Sequence, residues 1–105
     1  LPQATPRSDP SWFGFPITLR EAAGVARVDL VRYLDQNRIG TRMLFAGNLV
    51  RQPYMAGRAL RVSDDLCNTD RVMRDTFWIG VYPGLDEAML EYVADRLETF
   101  LGRTI

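Results

Sequence analysis

The alternation of apolar and polar positions along the chain predicts three short β-strands. Residues 12–19 (WFGFPITL) and 77–82 (FWIGVY) are aromatic and β-branched, and residues 41–46 (TRMLFA) make a third apolar run. Pro16 has no amide hydrogen for a sheet ladder, so we expect the first strand at an edge of the sheet. The third strand is apolar on both sides, which predicts that one face of the sheet needs a cover from outside this domain.

Apolar residues at helical spacing predict two well-defined helices. Over residues 27–37 one side is apolar and consists of Leu30, Val31 and Leu34. The last helix follows Asp86, a suitable N-cap, and ends before Gly102, which suits the left-handed position after a helix. Its apolar stripe consists of Leu90, Val93, Leu97 and Leu101, with Leu85 and Leu90 in the positions of a hydrophobic staple.

Two segments show neither a helical nor a strand period. Residues 1–10 contain three prolines and are predicted to be a linker. Residues 47–67 form a loop whose length is uncommon in compact domains and typical of functional segments. A short helix capped by Asn68 or Thr69 is expected after it. The order β-α-β-loop-α-β-α predicts a small α+β domain over residues 11–105, with helices packed on a mostly antiparallel sheet.

The composition is that of one ordinary globular domain. The chain has 105 residues, 47% of them hydrophobic, and its 13 basic and 13 acidic side chains leave a net charge of zero. Balanced, interspersed charge argues against a nucleic acid or an anionic membrane as partner, and no apolar run reaches the length of about 20 residues that spans a membrane. We interpret the single cysteine, Cys67, as a small buried side chain in a cytoplasmic protein.

All of the basic residues are arginines, and the chain contains neither lysine nor histidine. Lysine and histidine supply most Schiff-base and general-base chemistry near neutral pH. The chain can therefore recognise anions and hydroxyls, but we expect no catalytic residue and no metal site within it. The adjacent acids Asp64-Asp65 and Asp86-Glu87 are interpreted as turn and cap residues.

Five residues are candidates for a binding site. Phe13 is either a core aromatic or a ring lining a sugar or cofactor pocket, with Gly14 allowing close approach. Arg42 lies in an apolar strand and needs a partner, either a structural aspartate or a substrate phosphate. Asn48 is either a turn residue or an amide that recognises hydroxyls. Arg71 is either solvated helix surface or part of an anion site.

Long motifs in the chain resemble one enzyme family. The strings PSWFGFPITL, RVDLVRYLDQNRIGTRMLFAGNLVRQPYM and LCNTDRVMRDTFWIGVYPGL, with the closing helix, are similar to the C-terminus of sugar-nucleotide 3-dehydratases in the DegT/DnrJ/EryC1/StrS aminotransferase family. The resemblance covers residues 10–102. It is greatest to the branch that acts on CDP-linked 4-keto-6-deoxyglucose in lipopolysaccharide and dideoxysugar biosynthesis.

The resemblance implies that this chain is the small C-terminal domain of an aspartate-aminotransferase-like fold, packed on a large domain in a homodimer. It implies removal of the C3 hydroxyl of a nucleotide-linked 4-keto-6-deoxy sugar with pyridoxamine phosphate or pyridoxal phosphate, held mainly by the large domain. A large-domain histidine would replace the usual lysine as base. The CDP-specific enzymes also carry a [2Fe–2S] cluster on large-domain cysteines and receive electrons from a flavin/iron–sulfur reductase. The isolated chain is accordingly predicted to be inactive.

The resemblance also gives the candidate residues roles. Related aminotransferases have Ser-Trp/Tyr-His where this chain has the SWF string that ends at Phe13. An apolar ring at that position implies dehydration rather than amino transfer. Arg42, Asn48 and Arg71 lie within the matched motifs and are candidate contacts to sugar or phosphate.

Two other functions stay open at this point. The same domain would fit a sugar aminotransferase that uses pyridoxal phosphate, and the residue at the cofactor position of the large domain, lysine or histidine, decides between the two enzymes. Outside the enzymes, a free-standing α+β module could bind a small anion through Arg42 and Arg71.

Overall fold

The computed structural model describes residues 2–102. Its elements, in chain order, are β1 (Gly14–Thr18), α1 (Arg27–Gln36), β2 (Thr41–Met43), α2 (Cys67–Asp75), β3 (Thr76–Gly80) and α3 (Glu87–Leu101). Three single 3₁₀ turns interrupt the connecting segments, at Glu21–Ala23, Leu49–Arg51 and Pro53–Met55. The predicted α+β class with three antiparallel strands is confirmed.

The three strands form one antiparallel sheet in the order β1-β3-β2. In the register of this sheet, Trp78 on the central strand lies between Pro16 on one edge and Arg42 on the other. The prediction that Pro16 belongs to an edge strand is therefore confirmed. All three strands stop earlier than predicted. β1 runs only from Gly14 to Thr18, β3 ends at Gly80, and β2 ends two residues before Phe45, where φ is +47°.

The hydrophobic core lies on one side of this sheet, which we call the inner face and which carries Ile17, Phe77 and Ile79. Helices α1 and α3 pack on it. Phe77 is fully buried, and among the described residues the buried apolar side chains are Leu19, Leu30, Leu34, Ile39, Phe77 and Leu97. The apolar stripe predicted for α1 is confirmed, since its two leucines have no exposed surface.

The ends of α3 follow the sequence prediction. The Asp86 carboxylate accepts a hydrogen bond from the Met89 amide at 2.8 Å, and Gly102 has a left-handed φ of +63° with its amide donating to the Glu98 carbonyl. The apolar stripe of α3, however, starts later than the sequence predicted. Leu90 is 56% exposed, so the side of α3 that faces the core begins at Val93.

The start of α2 differs from the prediction. Its N-cap is Leu66, at φ +56°, rather than Asn68 or Thr69. The Asp64 carboxylate accepts from the Leu66 amide at 2.8 Å, and the Asp65 carboxylate accepts from the Cys67 amide at 3.0 Å. The turn role of this acid pair is thus confirmed.

The interpretation of Cys67 as a buried residue is wrong, because it lies exposed at the first position of α2. A hydrogen bond to the Asp65 carboxylate, with the negative charge of that group, raises the pKa of the Cys67 thiol. The thiol therefore has little nucleophilic character near neutral pH.

The chain is more open than a compact domain of its size. Its Cα radius of gyration is 16.2 Å, against about 13 Å for a compact chain of this length. Its accessible surface is 8295 Å², against about 6,000 Å² for a folded monomer of the same mass. Residues 2–10, the described part of the predicted linker, contain no helix or strand. No helix within residues 2–102 has the length and apolarity needed to cross a membrane.

Candidate functional site

The side of the sheet opposite the core, which we call the outer face, carries an exposed aromatic cluster. Trp78 points to this face because it alternates with Phe77 and Ile79 along β3. Phe13 and Phe45 each meet the indole edge to face, with ring centroids 5.2 Å and 5.5 Å away and interplanar angles of 69° and 75°. The two phenylalanines remain 79% and 85% exposed, so most of their surface is available to contact a ligand or another surface.

Phe45 joins this cluster through an unusual backbone conformation. Its φ is +47°, a left-handed value that is rare for residues with a Cβ, and costs roughly 1–3 kcal/mol when imposed on them. Tight hydrogen bonds hold the turn, from the Phe45 amide to the Met43 carbonyl at 2.8 Å and from the Gly47 amide to the Leu44 carbonyl at 2.9 Å. Strain that presents an exposed ring is typical of functional segments.

A shallow depression of about 270 Å³ opens beside this cluster on the outer face. We call it the outer-face depression. Its lining combines the aromatic residues Phe13 and Trp78 with Arg42 and three glycines. The lining residues are Phe13, Gly14, Gly40, Thr41, Arg42, Trp78, Ile79 and Gly80.

Arg42 is an exposed side chain of the outer face. Its Nη1 donates to the Thr41 carbonyl at 3.0 Å. The alternative of a structural aspartate partner is wrong, because no carboxylate in residues 2–102 forms an ion pair with Arg42. The expectation that Arg42 is partly buried is also wrong, since the strand ends at Met43 and places it on an edge. Its other guanidinium donors stay available for an anion.

Asn48 has a structural position inside the loop. It is 1% exposed, its Oδ1 accepts from the Val50 amide at 3.1 Å, and its Nδ2 donates to Asp70 Oδ1 at 2.7 Å. This geometry corresponds to the turn alternative. The side-chain amide is directed toward Asp70 on α2, and Asn48 is absent from the lining of the outer-face depression.

Asp70 ties this loop to α2. Besides the amide of Asn48, its carboxylate accepts from Arg51 Nε at 3.2 Å and from Arg51 Nη2 at 2.9 Å. The hydrogen bond from Arg51, followed by the one from Asn48, lowers the pKa of Asp70. The ionised carboxylate is thus the form that fastens the loop onto the helix.

Arg71 lies on the exposed side of α2 and does not line the depression. Of the sequence candidates, the structure brings together Phe13, Gly14 and Arg42, and it places Asn48 and Arg71 elsewhere. In the part of the chain that the structure describes, no group of three or more His, Cys, Asp or Glu side chains could hold a metal ion.

Four further residues of this face were missed by the sequence analysis: Trp78, Phe45, Gly40 and Gly80. The signal for Trp78 was present, because it alternates with core residues in an apolar strand. Phe45 was taken as part of a strand, and nothing in the sequence indicates its left-handed backbone. The two glycines have no motif of their own and come together only through the strand register.

Comparison with known sequences identifies the family of this chain. The sequence model of the DegT/DnrJ/EryC1/StrS aminotransferase family matches residues 1–98. The chain belongs to this family. The resemblance expected from the motifs is thereby confirmed.

Two relatives show where in the family the chain lies. Over 102 residues it is 62% identical to the lipopolysaccharide biosynthesis protein RfbH of Salmonella typhimurium, covering 97% of this chain and 23% of the relative. Over 104 residues it is 47% identical to the dTDP-4-dehydro-2,6-dideoxy-D-glucose 3-dehydratase of Saccharopolyspora spinosa, covering 99% of this chain and 22% of the relative. The chain thus spans less than a quarter of the length of either relative.

Proposed function

We propose that the protein containing this chain is a sugar-nucleotide 3-dehydratase. It removes the C3 hydroxyl of a nucleotide-linked 4-keto-6-deoxyhexose in the biosynthesis of dideoxysugars and lipopolysaccharide. The observation that carries the proposal is the 62% and 47% identity, over nearly the whole chain, to a lipopolysaccharide biosynthesis protein and to a sugar 3-dehydratase. We further propose that residues 11–105 form the small domain of an aspartate-aminotransferase-like fold.

In this proposal the chain supplies binding and not proton transfer. Arg42 is the one lining residue of the outer-face depression with a charged side chain, and its planar guanidinium suits phosphate oxygens. It would attract the phosphates of a nucleotide sugar. The Phe13 and Trp78 rings would contact the apolar side of the sugar and limit water near the reacting carbon.

The residues of this chain do not fit a pyridoxal phosphate or pyridoxamine phosphate site by themselves. The family depends on these cofactors in general, but the chain has no lysine to form a Schiff base and no histidine to act as base. We propose that the cofactor is held by a large domain outside this sequence. A [2Fe–2S] cluster, if the enzyme is CDP-specific, belongs there as well, because one cysteine is too few to ligate it.

Further proposals concern the partners and the setting of the whole protein. The large accessible surface supports packing of this domain against the large domain of the same enzyme and against a second subunit of a homodimer. A cytoplasmic location and, for a cluster-bearing form, electron transfer from a flavin/iron–sulfur reductase complete the proposal.

The test is an assay of the protein expressed at its full natural length. It would be incubated with CDP- and dTDP-linked 4-keto-6-deoxyglucose, with pyridoxamine phosphate and a reductase system, and the products would be identified by mass and NMR. Loss of the C3 hydroxyl is expected. Formation of an amino sugar with glutamate as donor would instead support the aminotransferase alternative, and binding of small anions without turnover would support the free-standing module.

A further inference from the structure

Three glycines that line the outer-face depression lie side by side. Gly14 on β1 pairs directly with Gly80 on β3. On the other side of β3, Thr41 pairs with Ile79, so the register continued by one residue places Gly40 beside Gly80. We call this row the glycine floor. It leaves a strip of backbone without side chains that crosses β1 and β3 and reaches the residue just before β2, and Trp78 lines the same depression.

The fold itself explains only one of these glycines. A Cβ on Gly14 would lie 3.1 Å and 3.3 Å from two carbons of the Trp78 ring, so packing against the indole favours glycine there. A Cβ on Gly40 or Gly80 would meet no atom within 4 Å, and neither residue has a left-handed φ. Glycine at a strand position weakens the strand and typically marks a close approach by a ligand or another backbone.

We propose that Gly40 and Gly80 keep the glycine floor bare so that the pyranose ring of a nucleotide sugar can lie directly on it, which makes them specificity-determining residues. The inference rests on the proposed function and assigns the position of the sugar on this domain. The ring would be flanked by the Trp78 and Phe13 side chains, with its phosphate toward Arg42.

The size and the lining of the depression fit this occupant. Sites that enclose a whole drug-sized ligand measure about 300–1,000 Å³, and the 270 Å³ of this depression accommodates one sugar ring rather than an entire nucleotide sugar. The aromatic wall suits the C–H groups of a pyranose. Arg42, which pairs with Trp78 across the strands, is the charged lining residue and suits the diphosphate. A pyranose joined to a diphosphate presents both of these chemistries.

The experiment compares two ligands on alanine variants of the protein at its full natural length. Isothermal titration would measure the affinity for the 4-keto-6-deoxyhexose nucleotide and for the free nucleoside diphosphate. In Gly80→Ala and Gly40→Ala the added methyl group displaces the ring, so we expect affinity for the nucleotide sugar to fall about tenfold or more. Affinity for the nucleoside diphosphate should stay at the wild-type value, and the melting temperature should not fall, because alanine at these unstrained positions restricts the unfolded chain.

Gly24→Ala is the matched control. It adds the same methyl group where nothing lies within 4 Å and φ is +66°, away from the outer-face depression. It should lower the melting temperature through backbone strain and leave both affinities unchanged.

Three results would overturn the inference. Wild-type affinity of both glycine variants for the nucleotide sugar would show that no ring contacts the floor. Equal losses for both ligands would place the nucleotide there instead, and a lowered melting temperature with unchanged affinity would mean that polypeptide covers the floor. Failure of the wild-type protein to bind or turn over any nucleotide sugar would refute the proposed function itself, which separates the two failures.

Discussion

The two faces of the same sheet differ in how far their apolar side chains are buried. On the inner face Phe77 is fully buried beneath α1 and α3. On the outer face the next residue, Trp78, is only partly buried, and the two phenylalanines that contact its ring are themselves 79% and 85% exposed. Adjacent residues of one strand therefore belong to a buried core and to a largely exposed aromatic surface.

This difference shows what the chain can and cannot do alone. The inner face gives the domain its stability, because its apolar groups are removed from water within residues 2–102. The outer face gains stability only when a ligand or another protein surface covers its aromatic groups. The following predictions test this division of roles, and all of them concern the protein at its full natural length.

The largest effect is expected from removing a ring on the inner face. Phe77→Ala should lower the free energy of unfolding by about 3–5 kcal/mol, because it leaves a cavity in a close-packed core. Phe13→Ala deletes the same atoms on the outer face and should change the free energy of unfolding by less than about 1 kcal/mol. Urea denaturation of both variants measures the contrast, and similar losses would mean that the outer face is core as well.

The next effect concerns ligand affinity. Arg42→Ala should weaken binding of the nucleotide sugar about ten- to a hundredfold, because a charge-assisted contact is lost, while the melting temperature stays the same. Titration calorimetry and thermal unfolding measure the two quantities. A fall in melting temperature with unchanged affinity in the folded fraction would make Arg42 a structural residue.

A smaller change is expected in reaction rate and product. Phe13→Leu keeps an apolar group on the outer face and should retain much of the dehydration, whereas Phe13→His introduces a titratable ring beside the sugar and should slow it. If a lysine also replaces the base of the large domain, Phe13→His should permit amino transfer. Equal rates and products in Phe13→Leu and Phe13→His would mean that Phe13 contributes only to packing and does not influence the reaction.

The smallest effect should come from the loop fastened by Asp70. The pKa of this carboxyl is lowered in the fold, so its stabilising contribution is complete above its unfolded pKa of about 4 and is lost as pH falls through the lower folded value. Asp70→Asn should lower the melting temperature slightly at pH 7. It should also make the melting temperature fall less steeply as the pH is lowered. Thermal unfolding from pH 7 to pH 3 would measure both, and an unchanged acid profile would contradict this role.

The parts of the site that the sequence predicted are those with a local signal. Phe13, Gly14 and Arg42 stand out within short strings, and the structure places them around one depression. Asn48 stood out equally, but a turn residue and a ligand-binding amide look alike in sequence. Its buried position depends on Asp70, twenty-two residues along the chain.

The sequence by itself determined the three strands, the edge position of β1, the inner stripe of α1, the caps of α3 and membership of the family. All of these rest on contacts between residues near each other in the chain or on long matching motifs. Only the tertiary structure decided that Gly40 and Gly80 meet beside Trp78 and that Phe45 bends back toward it. Strand register and a left-handed backbone turn depend on how distant segments pack, and neither has a local pattern in the sequence.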